Sequence, residues 1–201
     1  MTEKRSMRIL RRLIAFGGLG AVGFLAATGP FASAAEFGGV QYTVKPIIGY
    51  DRVYKDTPTP HTYNRLTYGV NAAATYSFLS LELEYTHGAG TETFPASGET
   101  VSDTAEKIKL GLKGTYQMGS VFSASLRGGG QISKVKTVTT VGTSVSTSYS
   151  PTQIDPYFGL GTSLRVAEKN SADFGVTVVF RSFPSLHQAE WQFTGGYAIH
   201  L

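Results

Sequence analysis

The stretch that most constrains the fold is the last one in the chain. Its alternate positions are mostly apolar, and the positions between them are small or polar; the apolar set is Trp191, Phe193, Tyr197, Ile199 and Leu201. Alternation with a period of two places the two sets on opposite faces of a β-strand. We expect this strand to close a barrel in a membrane, with its apolar side chains toward lipid and its polar side chains toward the lumen.

The beginning of the chain has the organisation of an export signal. Five basic residues precede an apolar, glycine-rich stretch, and a run of small residues follows it. The apolar stretch is shorter than the ~20 residues of a spanning helix, which favours a cleaved signal over a retained inner-membrane anchor. We therefore predict a signal peptide at residues 1–35, cleaved after Ala34 or Ala35, and one barrel domain at residues 36–201.

The charge and the cysteine count exclude several classes of function. The chain has 18 Lys and Arg and 14 Asp and Glu, of which residues 1–35 hold five and one, so the remainder carries equal numbers of each sign. This balance gives no support for nucleic-acid binding. There is no cysteine, which excludes disulfides, thiol nucleophiles and cysteine zinc sites. The histidines show no metal-ligand spacing, and we predict neither a metal nor a cofactor.

Period-two alternation marks eight segments in the predicted domain. They lie near residues 38–54, 62–76, 79–88, 104–116, 121–137, 154–166, 171–183 and 189–201. Most are long enough for a tilted strand to cross the hydrocarbon layer. The predicted fold is all-β, an eight-stranded antiparallel transmembrane up-and-down β-barrel. Pro46 lies inside the first segment, and because proline lacks a backbone N–H we expect a bulge or a strand end there.

The connections alternate in length, which predicts the orientation. Short turns are expected at residues 77–78, 117–120 and 167–170, and longer links at residues 55–61, 88–103, 138–153 and 184–188. In membrane barrels of this kind the short turns face the periplasm and the longer loops face outward. We expect a bacterial outer-membrane location with that orientation, and mobile, solvated loops.

Aromatic residues are sorted by height along the predicted strands. Those expected near the short turns are Tyr42, Tyr76, Tyr116, Phe122, Phe174 and Tyr197, and those expected toward the longer loops are Tyr68, Tyr85, Phe180, Trp191 and Phe193. Amphipathic rings favour the two headgroup levels of a bilayer, so we predict two membrane-interface girdles.

The opposite face of the segments mixes charged side chains with glycine and alanine. The charged set is Arg65, Glu82, Glu84, Lys107, Lys109, Lys113, Arg127, Arg165, Asp173 and Arg181. We predict that these residues form an ion-pair network in the lumen, since buried charges require partners. Such a network acts either as a structural plug or as part of a regulated ion path. A soluble barrel of lipocalin type is the structural alternative, but large and small residues in alternation suit a crowded interior better.

Two motifs resemble those of a known family. The segment Pro156-Tyr-Phe-Gly-Leu-Gly161 is similar to a recurring proline–aromatic–glycine strand, and Gly196-Tyr-Ala-Ile-His-Leu201 is similar to the C-terminal signal, of the small outer-membrane barrels of Gram-negative bacteria (OmpA/OmpX-like and opacity-type surface barrels). The resemblance implies that Tyr197, Ile199 and Leu201 are read by the outer-membrane insertion machinery, although the family usually ends in Phe. It also implies a monomer surrounded by outer-membrane lipid and lipopolysaccharide.

The family includes structural anchors, adhesins, narrow pores and proteins of unknown role. We expect a structural or surface-contact, adhesin-like role and no enzymatic activity. One alternative is a narrow pore or a carrier for small molecules. Another is a lipid-modifying enzyme, similar to a lipid A deacylase, with Ser185, His187 and Glu190 as its only candidate cluster and His61 and His87 at the same end. The spacing of that cluster differs from the His-x-Ser pattern of the deacylases.

Overall fold

The computed structural model describes residues 39–56, 60–181 and 188–200. The predicted signal peptide and Leu201 lie outside these ranges. The strands are β1 (Val40–Lys55), β2 (His61–Tyr76), β3 (Leu79–Phe94), β4 (Glu99–Gln117), β5 (Phe122–Val141), β6 (Ser144–Tyr149), β7 (Gln153–Ala167), β8 (Asn170–Val179) and β9 (Glu190–His200). Within the described part of the chain no helix is long and apolar enough to span a bilayer.

Eight of the nine strands form a closed ring. Neighbours in sequence pair antiparallel, β1 pairs with β9, and the β4–β5 pairing completes the circle. Strand β6 is not part of the ring. It pairs with the last part of β5 (Lys136–Val141), whereas β7 pairs with the first part (Phe122–Ser133). The predicted eight-stranded antiparallel up-and-down barrel is confirmed.

The seam between β1 and β9 corrects the interpretation of Pro46. The two strands pair from Thr43 to Val44 and again from Ile47 onward, and the register is the same on both sides of the gap. The missing N–H of proline therefore interrupts the ladder without the extra residue that defines a bulge. On its other side Pro46 stays in register with Val70 of β2. Side-chain parity is preserved along β1: Ile47 is buried and Ile48 is exposed.

Two of the predicted loops are in fact largely hairpin strands. Strands β3 and β4 stay paired up to Phe94 and Glu99, well past the predicted limits of 88 and 104. Strand β5 runs to Val141, and β6 returns beside it after a turn that contains Gly142 with a φ of 59°. The ladder of β3 with β2 ends earlier, at Ala89. Strands β3 to β6 therefore form a sheet that rises above the rest of the ring. We call this end of the molecule the long-hairpin end and the opposite end the short-turn end.

Burial in the barrel is the inverse of that in a soluble protein. The most buried large side chains include Arg65, Lys107, Gln131 and Glu190, each at most 2% exposed, whereas 55% of Leu110 is exposed. A soluble barrel of lipocalin type would place its apolar set inside. This arrangement excludes it, because exposed leucines in water would forfeit the main driving force for folding.

Candidate functional site

The candidate site is the lumen, where the inward-facing charged residues gather. The largest group, the upper cluster, lies toward the long-hairpin end and consists of Asp51, Arg65, Lys107, Arg181 and Glu190. It draws on β1, β2, β4 and β9 and on the residues that follow β8. The register places Asp51 opposite both Arg65 and Gln192, so these three residues lie at one level of the barrel.

Glu190 is the centre of the upper cluster. Its carboxylate forms ion pairs with Lys107 and Arg181 and a longer one with Arg65, at 3.4 Å from Nη2 to Oε2. Gln192 Nε2 also donates to Oε1 at 2.7 Å. Lys107 bridges to Asp51, so that two carboxylates and three cations share a water-poor space. This is the arrangement that buried charges require, since each has partners of opposite sign.

A second group, the middle cluster, is built on Glu84. Its two carboxylate oxygens bind Lys109 and Arg127, the latter at 2.7 Å between Nη1 and Oε2. Glu84 is 3% and Lys109 2% exposed. The Arg127 guanidinium continues to the hydroxyl of Thr177, with Nε donating at 3.1 Å. The middle cluster therefore ties β3, β4, β5 and β8 together across the lumen.

Two separate ion pairs, the lower pairs, lie toward the short-turn end. Lys45 Nζ is 3.0 Å from Asp173 Oδ2. Lys113 Nζ is 3.7 Å from Glu82 Oε1, which is too long for a hydrogen bond. Below the middle cluster the inward side chains are mainly small and polar, and the space between them is a cavity.

The structure brings together most of the predicted charged residues, but not all in the predicted combinations. Glu84 contacts Lys109 and Arg127, and Glu82 contacts Lys113, whereas Lys107 and Arg65 belong to the upper cluster instead. Arg165 does not join the predicted ion-pair network. It is exposed near the β7–β8 turn, with no ion pair among the described residues. A register shift in β7 between Arg165 and Ala167 accompanies this position.

Three acidic or basic members of these groups were missed from the sequence. Asp51 lies on β1 beyond Pro46, where the expectation of a bulge left the parity undefined. Lys45 precedes Pro46, and alternation counted from the outward Tyr42 would have placed it in the lumen. Glu190 was assigned to a rim cluster with Ser185 and His187, although its position directly before the outward Trp191 indicated an inward side chain. Alternation counted backward along β9 from Trp191 would have found it.

The residues of the hydrolase alternative do not assemble in the described part of the chain. Ser185 and His187 lie outside the described residues. Glu190 is fully buried in the upper cluster, so it cannot act as the rim carboxylate of such a site. His61 pairs with Glu92 at 2.9 Å, and His87 faces outward beside Tyr68. Among the described residues no group of three or more His, Asp or Glu is placed to hold a metal ion.

The predicted interface aromatics lie at various heights. Tyr42, Tyr76, Tyr116 and Phe122 are exposed near the short turns. Tyr68, Trp191 and Phe193 are exposed on the upper half, as is Tyr85, but that residue lies in mid-strand because β3 continues to Phe94. Phe174 lies further from the turn, opposite Gly195, and Tyr197 lies opposite Ala172. Phe180 follows β8 and is half-buried. Of the predicted insertion signal, Tyr197 and Ile199 face outward.

Comparison with solved structures identifies the same fold. Neisserial surface protein A aligns with a TM-score of 0.54 at 13% identity, over 80% of this chain and 98% of that protein. OprG from Pseudomonas aeruginosa gives 0.53 at 10% identity, over 80% and 95%. Ail, the attachment invasion locus protein of Yersinia pestis, gives 0.51 at 10% identity, over 81% and 97%. This confirms the predicted resemblance to small outer-membrane barrels at the level of the fold.

Neither a protein-family model nor a curated protein sequence matches the chain.

Proposed function

We propose that this chain is an integral outer-membrane barrel that makes contacts at the cell surface through the projecting sheet of β3 to β6, while its lumen is closed by ion pairs. In this proposal the short turns face the periplasm and the long-hairpin end faces outward. The surface role is inferred from this sheet, because its outermost strand, β6, has a free edge.

The outer surface of the ring supports a membrane location. Leucines at mid-strand, such as Leu81, Leu110 and Leu160, each have more than half of their surface exposed. A continuous apolar belt on all sides of a protein is stable only against lipid, because water would penalise about 25 cal/mol for each Å² of exposed apolar surface. A closed ring also leaves no strand of the ring with a free edge, as hydrocarbon demands.

The lumen supports a plug rather than an open pore. The upper and middle clusters fill two successive levels with side chains that are at most 3% exposed, apart from Arg127 and Arg181. An eight-stranded barrel has room inside only for its own side chains. An ion would have to separate pairs such as Glu84 and Lys109 in order to pass, and breaking a buried pair is strongly unfavourable.

The projecting sheet supports a contact role. Every residue of β6 is exposed, and in the described structure this strand pairs only with β5, so its second edge is open. An open edge exposes backbone donors and acceptors, which an extended segment of a partner can pair with. One face of the strand carries Ser144, Ser146 and Ser148 and the other carries Val145, Thr147 and Tyr149, which gives such a partner both polar and apolar side chains to contact. One structural neighbour, Ail, is itself named for attachment and has been crystallised with a heparin analogue.

Adhesion of cells that display the protein tests this proposal. Bacteria expressing the wild type should adhere to cultured epithelial cells or immobilised matrix proteins above an empty-vector strain. Val145→Lys places a charge on the β6 edge and should reduce the adhesion at least fivefold. Met118→Lys adds the same charge at the short-turn end, where Met118 is exposed, and serves as the matched control.

Equal surface levels of the three proteins must be shown by labelling intact cells. Adhesion that stays at the vector level, or that is unchanged in Val145→Lys, would contradict the surface-contact role and leave a structural one.

A further inference from the structure

The lumen between the middle cluster and the short-turn end contains a chamber that the charged clusters do not fill. Its volume is about 420 Å³, and its rim includes residues of the three short turns, such as Ser77, Val121 and Glu168. It is therefore open at the short-turn end. Arg127, held by Glu84, lies at its upper limit. The chamber is a blind pocket, since the charged clusters close it above.

One of the two lower pairs in this chamber is complete and the other is not. Lys45 donates to Asp173 at 3.0 Å, and Asp173 also accepts from the hydroxyl of Ser171 at 3.1 Å. Lys113 and Glu82 remain 3.7 Å apart. Glu82 is 3% exposed, and its Oε2 atom is buried without a hydrogen-bond partner among the described residues. A buried carboxylate with unused acceptor capacity is costly, so a group that binds beside the 3.7 Å Lys113–Glu82 pair and hydrogen-bonds to both side chains would stabilise it.

The chemistry of the gap defines what can occupy it. The occupant must donate to Glu82 and accept from Lys113, and a hydroxyl group does both. The walls carry further hydroxyls, among them Thr43, Ser123 and Ser125. The lower pairs cancel in charge, Arg165 and Glu168 at the mouth of the chamber balance each other, and Arg127 is engaged by Glu84. This balance favours a neutral solute over an ion.

We propose that this chamber binds a small, neutral polyhydroxy solute of monosaccharide size, held across the open Lys113–Glu82 pair. The hydroxyls of the solute complete the hydrogen bonds of the pair and of the serine and threonine walls. The site is separate from the projecting sheet, so it stands whether or not the surface-contact role is correct.

Titration of the ¹⁵N-labelled barrel in detergent micelles with D-glucose tests the proposal. We expect saturable backbone shifts that are confined to the chamber, around residues 80–82, 113 and 123–125. Ammonium chloride and sodium phosphate, at matched ionic strength, should give no saturable shift at these residues.

Two variants assign the binding to the chamber. Glu82→Ala with Lys113→Ala removes both charges together, so no lone buried charge remains, and should weaken glucose binding at least tenfold. Ser125→Leu narrows the chamber while leaving the pair intact, and it provides the same test if the double variant fails to fold. Glu92→Gln, at the long-hairpin end, should bind as the wild type does.

Three results would overturn the proposal. The first is the absence of saturable glucose shifts, which would mean that the chamber holds only water. The second is unchanged binding in folded variants of the chamber. The third is tighter binding of phosphate or ammonium than of glucose, which would make the site an ion site.

Discussion

Replacement of Glu190 by glutamine should destabilise the barrel more than any exposed charge replacement. The carboxylate is fully buried and accepts from Lys107, Arg65 and Arg181. Glutamine has nearly the same shape but no charge, which leaves the buried Arg65 and Lys107 and the partly exposed Arg181 with Asp51 as the only carboxylate in the upper cluster. Removing one partner from a buried ion-pair group costs about 3–5 kcal/mol. With typical urea dependences this lowers the unfolding midpoint by about 1 M or more.

The assay is equilibrium unfolding in urea of the protein refolded into lipid vesicles, followed by the fluorescence of its single tryptophan. The matched control is Glu92→Gln. That carboxylate pairs with His61 near the surface, where its side chain is 30% exposed, so the cost should stay below about 1 kcal/mol. Lys107→Gln combined with Glu190→Gln should cost less than the sum of the two single changes, because the double variant leaves fewer unpaired charges. A cost for Glu190→Gln as small as that of the control would refute the reasoning.

Three further predictions follow from the packing of the wall, from the closed lumen and from the orientation. Gly69→Ala should lower the stability by about 1–3 kcal/mol in the same urea assay, because the added Cβ would overlap the carbonyl oxygen of Tyr85 and lie 2.8 Å from Thr86 Cα. Gly128→Ala is the control: the nearest atom to its Cβ is 3.5 Å away, so its stability should be within about 0.5 kcal/mol of the wild type. Purified protein in planar bilayers should show no large, steady conductance, and the regular appearance of such channels would disprove a filled lumen. Trp191 faces outward on the upper half of the barrel, so brominated acyl chains should quench its fluorescence and aqueous iodide should not; the reverse result would place it in water.

The sequence was sufficient for the architecture because alternation is a direct consequence of strand geometry. Leu79 to Tyr85 alternate with Ser80 to Glu84 along β3, and the structure exposes the first set and buries the two glutamates of the second. Sequence alone could not predict the length of the hairpins. Residues 88–103 and 138–153 are rich in glycine, serine and threonine, which are common in loops, and only pairing with neighbouring strands makes them extended.

The partners of the lumen charges were less predictable than their location. Alternation assigns a residue to a face, but the contacts across a lumen depend on how far the strands are staggered around the ring. Lys107 is next to Thr86 in the ladder, yet its ammonium group reaches Asp51 and Glu190 on other strands. The uncertainty about Pro46 also concealed Asp51, because a single-residue shift would reverse every side chain that follows it.

The most direct test of the central claim, that the apolar faces contact lipid and the charged faces line the lumen, is the accessibility of nitroxide labels at consecutive positions. The chain contains no cysteine, so single cysteines introduce one label each. Labels at Leu81 and Leu126 should collide with oxygen dissolved in the bilayer. Labels at Ser80 and Ser125, whose side chains line the lower chamber, should collide instead with a water-soluble nickel complex. Equal accessibility within each neighbouring pair, or the inverse pattern, would contradict the account.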